Sequence, residues 1–255
     1  MITGELRDFA VNTEAYITLP PGFKRFQTER YSLLLGPPAG FTSVQRVRSA
    51  PEELPETLAE VRELVAENGH ENTVWWLSDE SLWKGLRALG LEPDDEAPEL
   101  TAMIALEPPP PPPADVVARP VETLEEYTSA CELNWDVFEL PEEVRESLRA
   151  TLAERFEADH ASRTALRFLA WVDGRPAASG IGVYCPLGGH LASGATLPWA
   201  RGRGAYRALV RARWDEAARR GTPALVVPGG EMSGPILRRL GFQEICPIHR
   251  LKDCA

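Results

Sequence analysis

Pro198-Trp199-Ala200-Arg201-Gly202-Arg203-Gly204-Ala205-Tyr206 is a glycine- and arginine-rich stretch. It lies between a strand pattern, His190 to Leu197, and a helical pattern running to about Arg220. Glycines at such a junction let backbone N–H groups approach an anion with no Cβ in the way. The start of the helix adds partial positive charge, and the guanidiniums of Arg201 and Arg203 add full charge. The stretch therefore reads as a pyrophosphate cradle formed by Arg201, Gly202, Arg203, Gly204, Ala205 and Tyr206. A plain helix start carrying surface arginines is the alternative. The phosphate-loop pattern G-x-x-x-x-G-K-[ST] and the dinucleotide pattern G-x-G-x-x-G are both absent.

The flanking pattern is ordered. Upstream, Pro120 to Ala130 opens a helical region, and Pro141 to Asp159 reads as one long helix with Val144, Leu148, Leu152 and Phe156 at a spacing of four. Arg167 to Val172 is a strand, Asp173-Gly174 a tight hairpin turn, Ala177 to Tyr184 the return strand, and Gly188-Gly189 the turn into a third strand. Downstream, Gly221 stops the long helix and Ala224 to Val227 is a short buried strand. Met232 to Leu240 is a helix stopped by Gly241, and Phe242 to Leu251 is the last strand.

Part of this order occurs earlier in the chain. Leu54 to Asn68 is a helix stopped by Gly69, Thr73 to Leu77 is an apolar strand, and Ser78 caps a helix ending at Leu89-Gly90-Leu91. Glu99 to Leu106 is a strand. Arg87-Ala88-Leu89-Gly90-Leu91 lies over Arg238-Arg239-Leu240-Gly241-Phe242, an internal duplication with an offset near 151. Between the copies stand six prolines, Pro108 to Pro113. They read as an extended spacer of about 19 Å, with a ligand for a proline-binding module as the alternative. The expected division is 1–107, a linker at 108–113, and 114–255.

Composition narrows the function classes. The 255 residues are 44% hydrophobic and 25% charged, the proportions of a soluble globular chain. The net charge of −11 disfavours non-specific binding to nucleic acid or anionic membrane. Residues 1–113 carry 9 basic and 19 acidic side chains, a balance of −10, whereas 114–255 carry 18 and 19, a balance of −1. No apolar run is long enough for a membrane span, and Met1-Ile2-Thr3-Gly4-Glu5 has no secretory pattern, so a cytoplasmic location is expected. Cys131, Cys185, Cys246 and Cys254 match no zinc spacing, so no metal is expected and the thiols read as reduced.

The succession of a β-meander, R-x-x-G-x-x, a helix of about 17 residues, Gly, a short strand, a short helix and Leu240-Gly241-Phe242 resembles the GNAT superfamily of N-acetyltransferases. The resemblance covers essentially residues 114–255. It implies a mixed α/β (α+β) acyl-CoA N-acyltransferase fold, a mostly antiparallel central sheet flanked by helices. With the first half it implies two tandem copies, similar in architecture to the mycothiol synthase type. At the position of a phosphate loop the first half has Arg48-Ser49-Ala50-Pro51-Glu52-Glu53-Leu54-Pro55. Its prolines lack N–H donors and its glutamates repel pyrophosphate, so this copy reads as degenerate and free of cofactor.

The resemblance also implies acetyl-CoA as co-substrate and acetyl transfer to a primary amine by direct attack in a ternary complex. The acceptor would be a small molecule or a peptide, with no nucleic acid or membrane partner, and the chain a monomer or homodimer. Thr196 and Leu197 would pair with the pantetheine arm, and a backbone N–H near Leu197 would polarise the thioester. Tyr206 departs from the family's usual Gly or Ala and crowds the cradle, unless its side chain points away along the helix. Leu237 stands where such enzymes often have a proton-donating Tyr, which leaves Ser233, one turn earlier, as the candidate acid or simply as a helix cap. Candidate bases are Glu132, Asp136, His190 and Glu231; Glu132 and Asp136 share a helix face that could bind a cationic amine or merely be solvated. Trp135 and Phe138 are pocket or core candidates. The alternative to the enzyme is a catalytically inactive acyl-CoA-binding regulatory module, and a third reading is a scaffold that binds no cofactor.

Overall fold

In the computed structural model all residues are described except 1, 3, 20, 21, 38–40, 95–98 and 255. The chain folds into two compact units that interleave in sequence. Unit 1 gathers Met1–Met103, Pro228–Leu237 and Glu244–Ala255; unit 2 gathers Ile104–Val227 and Arg238–Gln243.

Unit 1 begins with helix α1 (Gly4–Val11), followed by strands β1 (Lys24–Gln27), β2 (Ser32–Leu35) and β3 (Thr42–Gln45), then α2 (Leu54–Glu67), β4 (Asn72–Leu77), α3 (Glu80–Ala88) and the short β5 (Glu92–Pro93). Strand β6 (Leu100–Ala105) leads out of this run. β1, β2 and β3 form an antiparallel meander. β3 runs parallel to β4 through Ser43↔Val74 and Val44↔Trp75. A βαβ crossover through α2 permits that parallel pair, because a short turn cannot reverse the chain twice. Tyr31, Leu33, Val44, Leu58, Val61, Trp75 and Leu86 close the core.

Unit 2 consists of β7 (Val116–Pro120), α4 (Leu124–Val137), α5 (Glu142–Arg149), α6 (Leu152–Ser162), β8 (Ala165–Val172), β9 (Arg175–Cys185), β10 (Gly188–Thr196), α7 (Ala205–Arg219) and the start of β11 (Leu225–Gly229). Strands β7 to β10 pair antiparallel in sequence order. β11 joins β10 in parallel at Gly189↔Leu225 and His190↔Val226. Asp173 (φ 52°) and Gly174 (φ 72°) make the tight β8–β9 turn as expected. The core against α4 holds Val121, Tyr127, Cys131, Leu133, Trp135, Leu152, Leu169 and Ala195. Helix α8 (Gly234–Arg239) and strand β12 (Gln243–Cys254) complete the chain.

The repeat is visible in the elements. α2 starts at Leu54 and α7 at Ala205, 151 positions apart, and each is preceded by a strand and followed by a parallel one. The glycine stops at Gly69, Gly90, Gly221 and Gly241 all have φ between +77° and +100°.

Several expectations are corrected. The compact units are not the contiguous stretches 1–107 and 114–255. β12 pairs antiparallel with β4 from His249↔Leu77 to Cys254↔Asn72, so the end of the chain completes the sheet of unit 1. Arg62 grips the buried Asp253 of that strand through two hydrogen bonds of 2.9 and 2.7 Å. The prolines are not a free spacer. Pro109 is buried and its carbonyl accepts from Arg211 Nη1 of α7 at 3.1 Å. The helix expected over Pro141–Asp159 is two helices, broken where the Thr151 hydroxyl donates to the Leu148 carbonyl. α4 begins at Leu124 rather than Pro120, capped by Thr123, whose hydroxyl accepts the Glu126 N–H. The cap of α3 is Asp79 rather than Ser78.

Candidate active site in unit 2

β10 does not run straight into the glycine-rich loop. Its register against β9 shifts between Ala192 and Ala195, and Ser193 inside that bulge has φ 50°. A bulge adds a residue and bends the strand locally. β11 pairs with β10 at Gly189 and His190, at the start of β10. The bulge is held from α4: Asn134 Nδ2 donates to the Ser193 carbonyl at 2.8 Å. The other end of that amide, Oδ1, accepts from Arg167 Nη1 (3.1 Å) and Ser179 Oγ (2.9 Å). Asn134, Arg167 and Ser179 are all buried. Sequence reasoning passed over Asn134, which lies between the two acids it singled out.

The loop after β10 has the geometry of an anion cradle. Gly202 (φ 76°) and Gly204 (φ 89°) are both left-handed, a conformation that any Cβ would strain. Gly204 is the N-cap of α7, so the first N–H groups of a 15-residue helix face the loop without intrahelical partners. A Cβ on Gly204 would meet Pro113 Cδ at 2.6 Å, so the end of the proline run seals one side of the loop. Arg203 Nη2 bonds Asp173 of the β8–β9 turn at 2.7 Å. Arg201 is exposed, with Nε 3.4 Å from the Thr196 carbonyl. Arg207, not singled out from the sequence, brings Nη2 to within 3.6 Å of the Gly204 Cβ position, and its buried Nε has no partner among the described residues.

Tyr206 does not crowd this cradle. Its ring turns inward onto β10, where a Cβ on Gly194 would lie 3.0 Å from the ring edge. Burial raises its pKa, against the pull of the neighbouring Arg213. Arg213, two turns along α7, is 1% exposed and donates to the Leu209 and Ile181 carbonyls at 3.1 and 3.2 Å. Glycine at position 180 makes room for that guanidinium, since a Cβ there would lie 2.9 Å from Nη1.

The remaining candidates fare differently. The Leu197 N–H, expected at a thioester oxygen, donates to the Ala177 carbonyl of β9 at 3.0 Å. The alternation of an antiparallel ladder then turns the Thr196 N–H away from β9. Ala205 is buried. Asp136 is ion-paired with Arg145 at 2.5 Å and Glu132 with Arg149 at 3.4 Å, both on α5, and both acids are substantially exposed. Their shared face is thus a solvated helix–helix seam rather than a pair of free bases. His190 is half-buried: burial and then the Arg213 charge push its pKa down to about 4, against a backbone contact with Val226, and the buried Nδ1 has no partner among the described residues. Ser233 Oγ accepts the Gly230 N–H at 3.0 Å, a bond back to the preceding turn rather than the forward bond of an N-cap, and it falls in unit 1. Leu237 is fully buried, Trp135 is core, Phe138 is 54% exposed, and Glu231 is exposed. Among the described residues no group of three or more His, Cys, Asp or Glu is placed to hold a metal ion.

No family model and no curated protein matches the chain. Solved structures do. A GCN5-related N-acetyltransferase from Kribbella flavida is 19% identical, with a TM-score of 0.71 over 100% of this chain and 97% of that one. A tandem GNAT protein from the clavulanic acid biosynthesis pathway, in its form without acetyl-CoA, is 18% identical, with a TM-score of 0.63 over 97% and 93%. A GCN5-related N-acetyltransferase from Sphaerobacter thermophilus is 18% identical, with a TM-score of 0.58 over 88% and 80%. This chain shares their fold, the mixed α/β GNAT architecture.

Proposed function

We propose that the chain is an acetyl-CoA-dependent N-acetyltransferase whose cofactor site lies in unit 2. The observation that carries this reading is the junction of the Ser193 bulge, the left-handed Gly202 and Gly204, and the start of α7. A strand bent by its bulge, running into donors at a helix start, suits an extended ligand with an anionic end. In this reading Arg201, Arg203 and Arg207 neutralise the pyrophosphate, the α7 N–H groups bind its oxygens, and Thr196 rather than Leu197 offers the N–H for the acyl arm. The acetyl thioester supplies the activated acyl group. The amine attacks it directly, the C–N bond forms as the C–S bond breaks, CoA leaves as its thiolate, and the ammonium proton goes to a base, so that amide and free CoA thiol result. The acceptor is a small-molecule or peptide amine.

The fit of the loop and the state of the candidate bases point in different directions, which keeps a second reading alive. Glu132 and Asp136 are ion-paired, His190 is held neutral, and Ser233 is engaged locally. An acyl-CoA-binding regulatory module without turnover would have the same loop and no free base. No helix among the described residues is long and apolar enough to cross a membrane. All four thiols are unpaired, in keeping with a reducing compartment such as the cytoplasm.

Calorimetric titration of acetyl-CoA into the wild type and Arg201→Glu tests the cofactor site. Arg201 is exposed, so the change spares the fold. The expected result is binding to the wild type, weakened about tenfold or more in the variant. Thiol release over a panel of amines then separates the enzyme from the module. Absence of binding to the wild type overturns both.

A further inference from the structure

Unit 1 repeats the strand–loop–helix arrangement of the cradle, yet its own N-terminal segment fills that place. Asn12, just after α1, accepts the Arg46 N–H at the end of β3 through Oδ1 at 2.7 Å. Asp8, on α1, accepts from Arg46 Nε at 3.1 Å and from Arg48 Nη2 at 2.7 Å, and also from the Tyr16 hydroxyl. Glu14 N–H donates to Gln45, the last residue of β3, at 3.1 Å. The strand end that leads to a free loop in unit 2 is here occupied by side chains of the same unit.

The filling is incomplete. Between α1, the end of β3 and the end of β4 remains a cavity of about 180 Å³. That is the liquid volume of about six waters, far below the size of an acyl-CoA. We propose that this cavity binds a small oxyanion, of phosphate to short dicarboxylate size, at a site distinct from the acyl-transfer centre.

Arg7, Arg46 and Arg48 line the cavity, against Asp8 and Asp79, which leaves one positive charge uncompensated. Arg7 has no ion pair among the described residues. Asp79 already accepts from Ser81 N–H and Oγ with one oxygen, so its carboxylate is drawn toward the α3 start. Arg46 and Arg48 each have five N–H donors and share the single carboxylate of Asp8. Trp76, also in the lining, has a buried Nε1–H with no acceptor among the described residues. A buried donor without a partner is costly and calls for an acceptor from outside the chain. A compact anion with two or more oxygens would supply acceptors for Trp76 and the guanidiniums and cancel the excess charge.

The site does not depend on the acyltransferase reading: failure of acetyl-CoA to bind unit 2 leaves it untouched. The test is calorimetry on the full chain with inorganic phosphate and, separately, succinate, at constant ionic strength set by chloride. The expected result is saturable binding of one or both, whichever is tighter naming the source. Arg7→Gln and Arg48→Gln should weaken it about tenfold, and Trp76→Phe, which keeps the ring and loses only the N–H, about threefold or more. Arg203→Gln, in the other unit, should leave it unchanged. No saturable binding of either anion at about 10 mM overturns the proposal. So does binding that is insensitive to Arg7→Gln and Trp76→Phe, or binding abolished by Arg203→Gln.

Discussion

The Asn134 side chain bonds the Ser193 carbonyl at the point where β10 departs from its register with β9. One buried amide thus joins α4 to the bulge, while its oxygen collects Arg167 and Ser179. Asn134→Leu strands two buried polar groups, Arg167 and Ser179, and frees the Ser193 carbonyl; it should destabilise the protein by about 2–5 kcal/mol in urea unfolding. Asn134→Asp is more informative. It keeps an acceptor for Arg167 and Ser179 but turns a second oxygen toward the Ser193 carbonyl. Its melting temperature should fall less than that of Asn134→Leu, while acetyl-CoA binding weakens about tenfold. Unchanged affinity in Asn134→Asp would mean that the bulge does not shape the cofactor site.

His190 gives stability a pH dependence of known sign. Its folded pKa of about 4 lies below the ordinary imidazole value of 6.5. Between those values the unfolded chain holds a proton that the folded protein does not, so stability rises with pH across that window. The contribution is fully present above about 6.5, is lost as pH falls toward 4, and amounts to about 3 kcal/mol in all. His190→Gln keeps a donor for the Val226 backbone and cannot titrate. Its stability should decline less than that of the wild type between pH 6.5 and 4, measured by urea unfolding at each pH. Parallel curves for the two proteins would show that the ring is protonated normally in the fold.

Gly202 and Gly204 share a positive φ but not a neighbourhood. A Cβ on Gly202 meets open space, whereas one on Gly204 meets Pro113 Cδ and Cγ at 2.6 and 2.7 Å. Gly202→Ala should therefore cost only the conformational strain, about 1 kcal/mol. Gly204→Ala adds overpacking and should cost about 2–4 kcal/mol. Pro113→Gly in the Gly204→Ala background should recover part of that loss, giving a non-additive cycle. Additive losses would place the proline ring away from the loop.

The part of the site that could be read from sequence is the part written in glycine. Gly202 and Gly204 mark the loop, Asp173-Gly174 the hairpin, and Gly69, Gly90, Gly221 and Gly241 the helix ends, because each position demands a backbone conformation that few other residues adopt. Single-residue patterns carry no comparable mark for tertiary partners. Nothing local distinguishes Asn134, which faces the sheet, from Glu132 and Asp136, which face α5. The Val144–Phe156 spacing shows a stripe but not that Val144 is exposed while Leu152 is buried. α1 and its hold on β3 were invisible for the same reason: Asp8, Asn12, Arg46 and Arg48 meet only after the chain has turned back some 34 to 40 positions.

The sharpest consequence of the fold concerns the last strand. β12 follows the helix stop at Gly241, so by sequence it closes the second repeat, yet its Leu251 is fully buried in the core with Val61 and Trp75. Its Asp253 is 4% exposed and holds Arg62 through both carboxylate oxygens. A fragment of residues 1–107 therefore lacks a strand of its own sheet. It leaves the edge of β4 open and Arg62 without its partner. Such a fragment should be unfolded or aggregated by circular dichroism and gel filtration, because an open apolar edge invites pairing with other chains. Joining residues 243–255 to it through a flexible linker should restore a cooperative melt. In the full chain Asp253→Asn, which loses the charge but keeps the shape, should cost about 1–3 kcal/mol, given the partial exposure of Arg62. A stable, monomeric 1–107 fragment would show that the first repeat is self-sufficient and that β12 only lies against it.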